Sequence, residues 1–444
     1  HEYGYMHPIL AAVTTALFAA VNAALPAFAG YVQAKLRPFA LSVSKGRSWI
    51  LLVLPAIWTL AEWLRGLLFT GFPWLSMGYS QVPGSPLAGY APLLGVYGVS
   101  LMVAVSAGIV LVLWYARWSR QGKIALGVLI ALWICGALLR TIEWTHPQGD
   151  PLKVSLLQGN IAQDDKFEEG SLVGTLETYR RLAQSSDARL IVLPETALPI
   201  LRDNVPDYYQ LILSEHVRKN GGDILIGAFE KDNGHYYNSV YSLGSSHSQH
   251  YRKDHLVPFG EFIPLRDVLG WLINEVLNIP MGDLGSGGAT QKPLNVAGQK
   301  VALDICYEDA FGEEIIRALP EATLLVNVTN DAWYGDSHAA MQHNQLSQMR
   351  ALETGRTMLR ATNTGVTSVI GVDGRIQAML PQHEEGVLTA QVQGYTGSTP
   401  YVYWGNVALL VLAGLMLVTV GWLQCTPSPT GGGLGRGNTR GKRV

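Results

Sequence analysis

The chain has 444 residues, of which 48% are hydrophobic and only 15% charged, where soluble globular domains carry about 25% charged residues. That deficit excludes an intrinsically disordered chain and speaks against a purely soluble enzyme. The balance of 32 basic and 34 acidic residues speaks against a nucleic-acid binder, which shows a basic surplus.

Apolar blocks lie at both ends. In chain order, residues 8–32, 48–69, 87–116, 124–139 and 401–423 are candidate membrane-crossing helices, each near the ~20 residues a bilayer requires. The fourth is short and is expected to draw on Arg140 by snorkelling. No charge falls between Gly66 and Ala116, which disfavours buried helices of a soluble core. Positive residues cluster in alternate loops: Lys35, Arg37, Lys45 and Arg47; then none over 70–86; then Arg117, Arg120 and Lys123; finally Arg436, Arg440, Lys442 and Arg443 in the tail. Positive loops face the cytoplasm, so the N-terminus and the large middle region are expected outside it. A chain opening on His1, directly before a span, reads as processed or partial, with no legible cleavable signal. Residues 431–444 read as a flexible Gly-rich tail. Glu62 and Arg65 share a helix face within the second block and are expected either to pair structurally or to serve a function.

Between 145 and 396 the pattern changes. Short β-branched runs occupy 153–157, 190–193, 224–228, 238–243, 300–305, 323–328, 367–372 and 387–392, with helical stretches at 172–185 and 339–361. Such interleaving predicts a layered α/β domain of about 250 residues. The chain thus divides into spans (1–144), a catalytic domain (145–396), a last span (397–424) and a tail (425–444). An apolar insertion at 265–279, followed by a Gly-rich stretch, is too short to span. It reads as a packed helix or, preferably, as a mobile arm dipping into the outer leaflet, with Trp271 as a lipid contact.

Three cysteines make no disulfide framework. Cys135 lies in an apolar run and Cys425 follows the last one, so Cys306 stands alone in the polar middle. A free thiol outside the cytoplasm is an oxidation liability; Cys306 ends a predicted strand, where a nucleophile is readily presented. Two other predicted strands lead into Glu195 and Lys253. A thiol needs a base to take and return its proton, and Glu195 suits if burial and neighbouring carboxylates raise its pKa. An ammonium such as Lys253 would stabilise a developing oxyanion. Taken singly, each is more simply a surface charge or an inert buried cysteine.

Together, LPETALP (Glu195), YRKDHLVPFGE (Lys253) and DICYEDAF (Cys306) resemble the blocks of the carbon–nitrogen hydrolase (nitrilase) superfamily, in that family's order. With the spans, and with EWLRG, FTGFPWL, GYSQ, LLQGNI, NDAWYGDS and MRALETGRTMLRATNTG, the chain is similar to the apolipoprotein N-acyltransferase family of bacterial inner membranes. The resemblance implies a membrane helical bundle joined to an α/β domain, a nitrilase-like αββα sandwich outside the cytoplasm. It implies a Glu195–Lys253–Cys306 triad with Glu261 as a second carboxylate, and Tyr307 and Glu308 flanking the nucleophile. For Glu261 and Glu308 a packing role is the simpler alternative. The implied reaction moves an acyl chain from a phospholipid, phosphatidylethanolamine by preference, to the amino-terminal diacylglyceryl-cysteine of an apolipoprotein. The family's eight spans exceed the five read here, and the others are expected before His1.

Phe167 would fill an aromatic position after LLQGNI. Trp333 reads as core or as acyl-pocket lining, and His338 and His343 as structural; no zinc motif, metal or cofactor is expected. The competing readings are a membrane-tethered nitrilase-like amidase and a non-enzymatic membrane receptor.

Overall fold

The computed structural model describes residues 7–36, 49–116, 119–164, 166, 170–264 and 283–425. The insertion at 265–279 with Trp271, the position of Phe167 and the C-terminal tail lie outside them.

Among the described residues, four α-helices precede the α/β part: α1 (Pro8–Leu36), α2 (Leu54–Arg65), α3 (Ala91–Ala116) and α4 (Arg120–Leu139). Three helical stretches among the described residues are long and apolar enough to cross a membrane: Pro8–Lys35, Pro86–Ala116 and Arg120–Leu139. The predicted block at 48–69 is a correction. It is a π-helical turn (Trp49–Val53) running into α2, and it stops at Gly66, where the chain turns back. The predicted block at 87–116 starts as a 3-10 turn (Pro86–Tyr90) and bends inside α3 at Gly95. Gly95 has φ +67°, and a Cβ there would stand 2.4 Å from the Tyr401 ring, so only glycine fits. The bend frees the Val96 N–H, which donates to Glu353 Oε1 at 2.6 Å. The predicted block at 401–423 is broken at Gly405, where a short turn (Pro400–Trp404) hands over to the helix Val407–Cys425.

The α/β part contains, in order, β1 (Thr145–Gln158), α5 (Leu172–Gln184), β2 (Leu190–Val192), β3 (Leu198–Leu201), α6 (Asp207–Lys219), β4 (Asp223–Asp232), β5 (His235–Gly244), β6 (His250–Arg252), β7 (Leu294–Val296), β8 (Gln299–Ile305), β9 (Leu324–Thr329), α7 (Ala339–Thr354), β10 (Met358–Thr362), β11 (Ser368–Ile370), β12 (Ile376–Met379) and β13 (Gly386–Gly397). One sheet runs β13-β1-β2-β4-β5-β6, with β3 beside β4; the other runs β12-β11-β10-β9-β8-β7. Strands β1, β2 and β4 pair in parallel, as do β8, β9 and β10.

The inner faces meet through alternate residues. Leu152, Val154, Leu156, Leu190, Val192 and Leu225 pack against Val301, Leu303, Ile305, Val326 and Val328. The intervening residues of the first sheet, Ile191, Ile224 and Ile226, pack under Leu176, Tyr179, Leu213 and Val217 of α5 and α6. On the second sheet, Ala302, Leu325 and Met358 meet Ala351 of α7. Both faces of the central strands are therefore covered, which explains their unbroken apolar runs. The result is a helix–sheet–sheet–helix sandwich.

The predicted helix at 339–361 is a second correction. It ends at Thr354, because Gly355 takes φ +63° and closes the helix. The chain then continues as β10, which pairs with β9. Within ALETGRTMLR that glycine is the local stop signal, and pairing with β9 makes the residues after it a strand.

Candidate active site

The parallel strands of both sheets end on one side, where ligands bind in such folds. β2 runs into Pro194-Glu195, β6 into Lys253, β8 into Cys306 and β9 into Asn330. Side chains far apart in sequence converge there.

Lys253 is 1% exposed. Its Nζ lies 2.9 Å from Glu261 Oε1 and 3.9 Å from Glu195 Oε1. Burial works against the ammonium, yet Glu261 and Glu195 outweigh it and the pKa is raised. Asn238 on β5 bridges the carboxylates, donating Nδ2 to Glu195 Oε1 at 2.8 Å and to Glu261 Oε1 at 3.3 Å. The second oxygens are also held: Glu195 Oε2 by the Asn330 N–H at 2.8 Å and Glu261 Oε2 by the Val257 N–H at 2.8 Å.

Cys306 follows β8 on a left-handed turn with φ +57°, a conformation rarely held by a non-glycine residue and concentrated at functional sites. Its thiol is pushed well up, first by burial and then by the Glu195 carboxylate, against the lowering pull of Lys253. At neutral pH the sulfur therefore holds its proton, and a base beside it is needed to remove it. The three predicted groups thus lie near enough to act on one another electrostatically.

The turn is braced from behind. Asn327 Nδ2 donates to the Cys306 carbonyl at 3.1 Å, and His343 Nε2 lies 3.2 Å from the same oxygen. His343 is buried between Asp331 (2.8 Å) and Asp309 (3.0 Å), and Arg360 joins the same two carboxylates at 3.1 and 3.0 Å. Burial and Arg360 disfavour the imidazolium, but the two aspartates prevail and the His343 pKa rises to about 9. Glu308 staples a second strand end to this turn. It accepts from the N–H groups of Asp254 (2.7 Å), His255 (3.0 Å) and Ile305 (2.6 Å) and from the Tyr251 hydroxyl (3.0 Å). Burial lifts its pKa to about 7 despite Lys253 and those N–H donors.

The helical region closes the site from the other side. Tyr307 donates its hydroxyl to the Gly71 carbonyl at 3.2 Å, and its ring stacks with Phe72 and Trp74 at 6.3 and 6.2 Å between centroids. Trp333 is 52% exposed, which removes the core reading. His338 is exposed, next to the start of α7. Among the described residues, no group of three or more His, Cys, Asp or Glu side chains could hold a metal ion.

Several residues of the pocket escape a reading of the sequence. Asn238 reads as one polar position in a strand. Lys166 is 3% exposed and donates to the Glu195 backbone carbonyl at 3.2 Å. Burial lowers its pKa to about 8, against the raising fields of Glu195 and Cys306. It sits in a polar run, QDDKFEE, that reads as a solvated loop. Arg360 lies within the MRALETGRTMLRATNTG block, but nothing in its spacing points to Asp309 and Asp331.

Residues 153–401 match the family model of carbon–nitrogen hydrolases, and residues 1–109 match that of the apolipoprotein N-acyltransferase N-terminal domain. The apolipoprotein N-acyltransferase of Nitrosomonas europaea is 50% identical over 424 residues, covering 94% of this chain and 82% of that protein. The protein of that name from Methylococcus capsulatus is 44% identical over 409 residues, covering 91% and 79%. The one from Chromobacterium violaceum is 43% identical over 428 residues, covering 95% and 81%.

Proposed function

The chain belongs to the apolipoprotein N-acyltransferase family, and on that premise we propose that it carries an acyl chain from a phospholipid to a lipoprotein amine through a thioester on Cys306. The buried Glu195–Lys253–Glu261 cluster facing a proton-holding thiol supports this reading. Glu195 takes the proton of Cys306, and the thiolate attacks the ester carbonyl of the phospholipid, at sn-1. Charge builds on the carbonyl oxygen and is met by Lys253 and by backbone N–H groups near Tyr307. Glu195 then protonates the departing lysophospholipid oxygen, leaving the acyl thioester.

In the second half the free α-amine of an N-terminal diacylglyceryl-cysteine attacks the thioester. Its proton passes to Glu195, the thiolate leaves, and Glu195 returns the proton to sulfur. The amide formed is more stable than the thioester, so the exchange runs downhill. Glu261 keeps Lys253 charged and in place throughout. No cofactor is needed, because the ester supplies the activated acyl group.

We assign residues 145–396 to the catalytic domain, placed on the periplasmic side of the bacterial inner membrane, with 1–144 and 397–424 in the bilayer. The loop charges support this orientation. Both substrates are lipid-anchored, and extracting a chain would cost about 0.8 kcal/mol per CH₂. A site at the outer-leaflet surface avoids most of that. The favoured donor is phosphatidylethanolamine.

Enzyme preloaded with labelled acyl chain and then chased with a diacylglyceryl-cysteine peptide tests the route. The label is expected to move from Cys306 to the peptide amine. Release as free fatty acid at one rate with and without peptide would contradict acyl transfer.

A further inference from the structure

From Trp49 to Ala116 the chain carries two charges, Glu62 and Arg65. They sit three residues apart near the end of α2, yet they do not pair. Glu62 Oε1 accepts from the Trp58 indole at 3.1 Å and the Met77 N–H at 3.0 Å. Arg65 is half-buried, and its Nη2 meets only the Ser76 hydroxyl at 3.3 Å, while Nε has no acceptor. Among the described residues no carboxylate forms an ion pair with it. An uncompensated guanidinium at the end of an apolar helix is costly, and such residues mark sites of function.

Its location gives the function. The Arg65 carbonyl accepts from the Phe72 N–H at 2.7 Å. Phe72 stacks on Tyr307, and Tyr307 bonds the Gly71 carbonyl. The field of Arg65 reaches the Tyr307 phenol, one residue from the nucleophile. Resting on the donor assigned above, we propose that Arg65 binds the phosphodiester of the acyl-donor phospholipid and so sets its ester over Cys306. A guanidinium matches phosphate in shape and charge. A short glycerol arm separates the phosphate from the scissile ester, which suits a phosphate contact joined to the Cys306–Tyr307 turn through Phe72. The turn at 66–76 orients the guanidinium through Ser76.

The alternative is a staple that only holds this turn. The two separate through Arg65→Gln in the full-length enzyme, with phosphatidylethanolamine in mixed detergent micelles as donor. Cys306 acylation is followed by peptide mass spectrometry, beside alkylation of Cys306 by iodoacetamide, a phosphate-free probe. KM for the lipid is expected to rise roughly tenfold or more, with the alkylation rate within about twofold of wild type. An unchanged KM, or alkylation falling in parallel, overturns the assignment. Inorganic phosphate should not compete with the lipid; competition would make this a free-anion site and also overturn it. If Arg65→Gln does not fold, Arg65→Lys is read by the same criteria. Wild-type enzyme that phospholipid never acylates would instead refute the donor assignment itself.

Discussion

Lys253 leans toward Glu261 rather than Glu195, with Nζ 2.9 Å from the first and 3.9 Å from the second. The asymmetry separates two roles. Glu261 neutralises the ammonium and keeps it charged, so Glu195 is not consumed by a tight ion pair. Each of its oxygens accepts instead from one N–H donor, Asn238 Nδ2 or the Asn330 N–H, which leaves a further lone pair on the carboxylate to exchange a proton.

Removing the Glu261 charge should collapse that separation. In Glu261→Gln, Lys253 is expected to close on Glu195 and to quench it as a base. Single-turnover acylation of Cys306 should fall about a hundredfold, with the fold retained. A rate within twofold of wild type would show that Glu261 only packs.

Cys306→Ser replaces the sulfur with a smaller, less acidic nucleophile on the same braced turn. Acyl transfer is expected to fall by roughly a thousandfold or more, and the melting temperature to change little. Retained transfer would show that the sulfur is not the acyl carrier.

Lys166 tests the field around the sulfur. Its pKa of about 8 means that its charge is present below that pH and lost above it. Lys166→Met should therefore slow iodoacetamide alkylation of Cys306 several-fold at neutral pH, with the deficit narrowing above about pH 8, where the wild-type lysine is itself neutral. A deficit independent of pH would indicate a structural effect only.

His343 tests the brace. Its pKa rises from 6.5 unfolded to about 9 folded. A raised cationic pKa stabilises the fold fully below the unfolded value, and that stabilisation is lost as pH climbs through the folded value. Thermal melting should therefore show stability declining between about pH 6.5 and 9. His343→Gln should be less stable at the acidic end of that window and flatter across it. A variant that kept the wild-type slope would assign it to other groups.

Two of the three proposed reacting groups were legible as ends of apolar strands, Leu190–Val192 before Glu195 and Gln299–Ile305 before Cys306, whereas Lys253 follows the polar strand His250–Arg252 and stood out only through its motif. The alternation of runs predicts a layered α/β domain; the αββα sandwich itself came from the resemblance. What supports those groups was not legible. Asn238 serves Glu195 and Glu261 only because β5 lies beside β4 and β6. Arg360 and His343 reach Asp309 and Asp331 only once α7, β9 and β10 pack together. Spacing alone pairs Glu62 with Arg65; the fold-back at Gly66 supplies Met77 and Ser76 as nearer partners. Local pattern carries the strand ends, and tertiary contact carries their neighbours.

Mass spectrometry of Cys306 after incubation with isotopically labelled phosphatidylethanolamine tests the central claim most directly. The account predicts one labelled fatty-acyl group on the Cys306 peptide, removed by neutral hydroxylamine and absent from Cys306→Ser. An unmodified Cys306 in enzyme that still acylates a lipoprotein would contradict it.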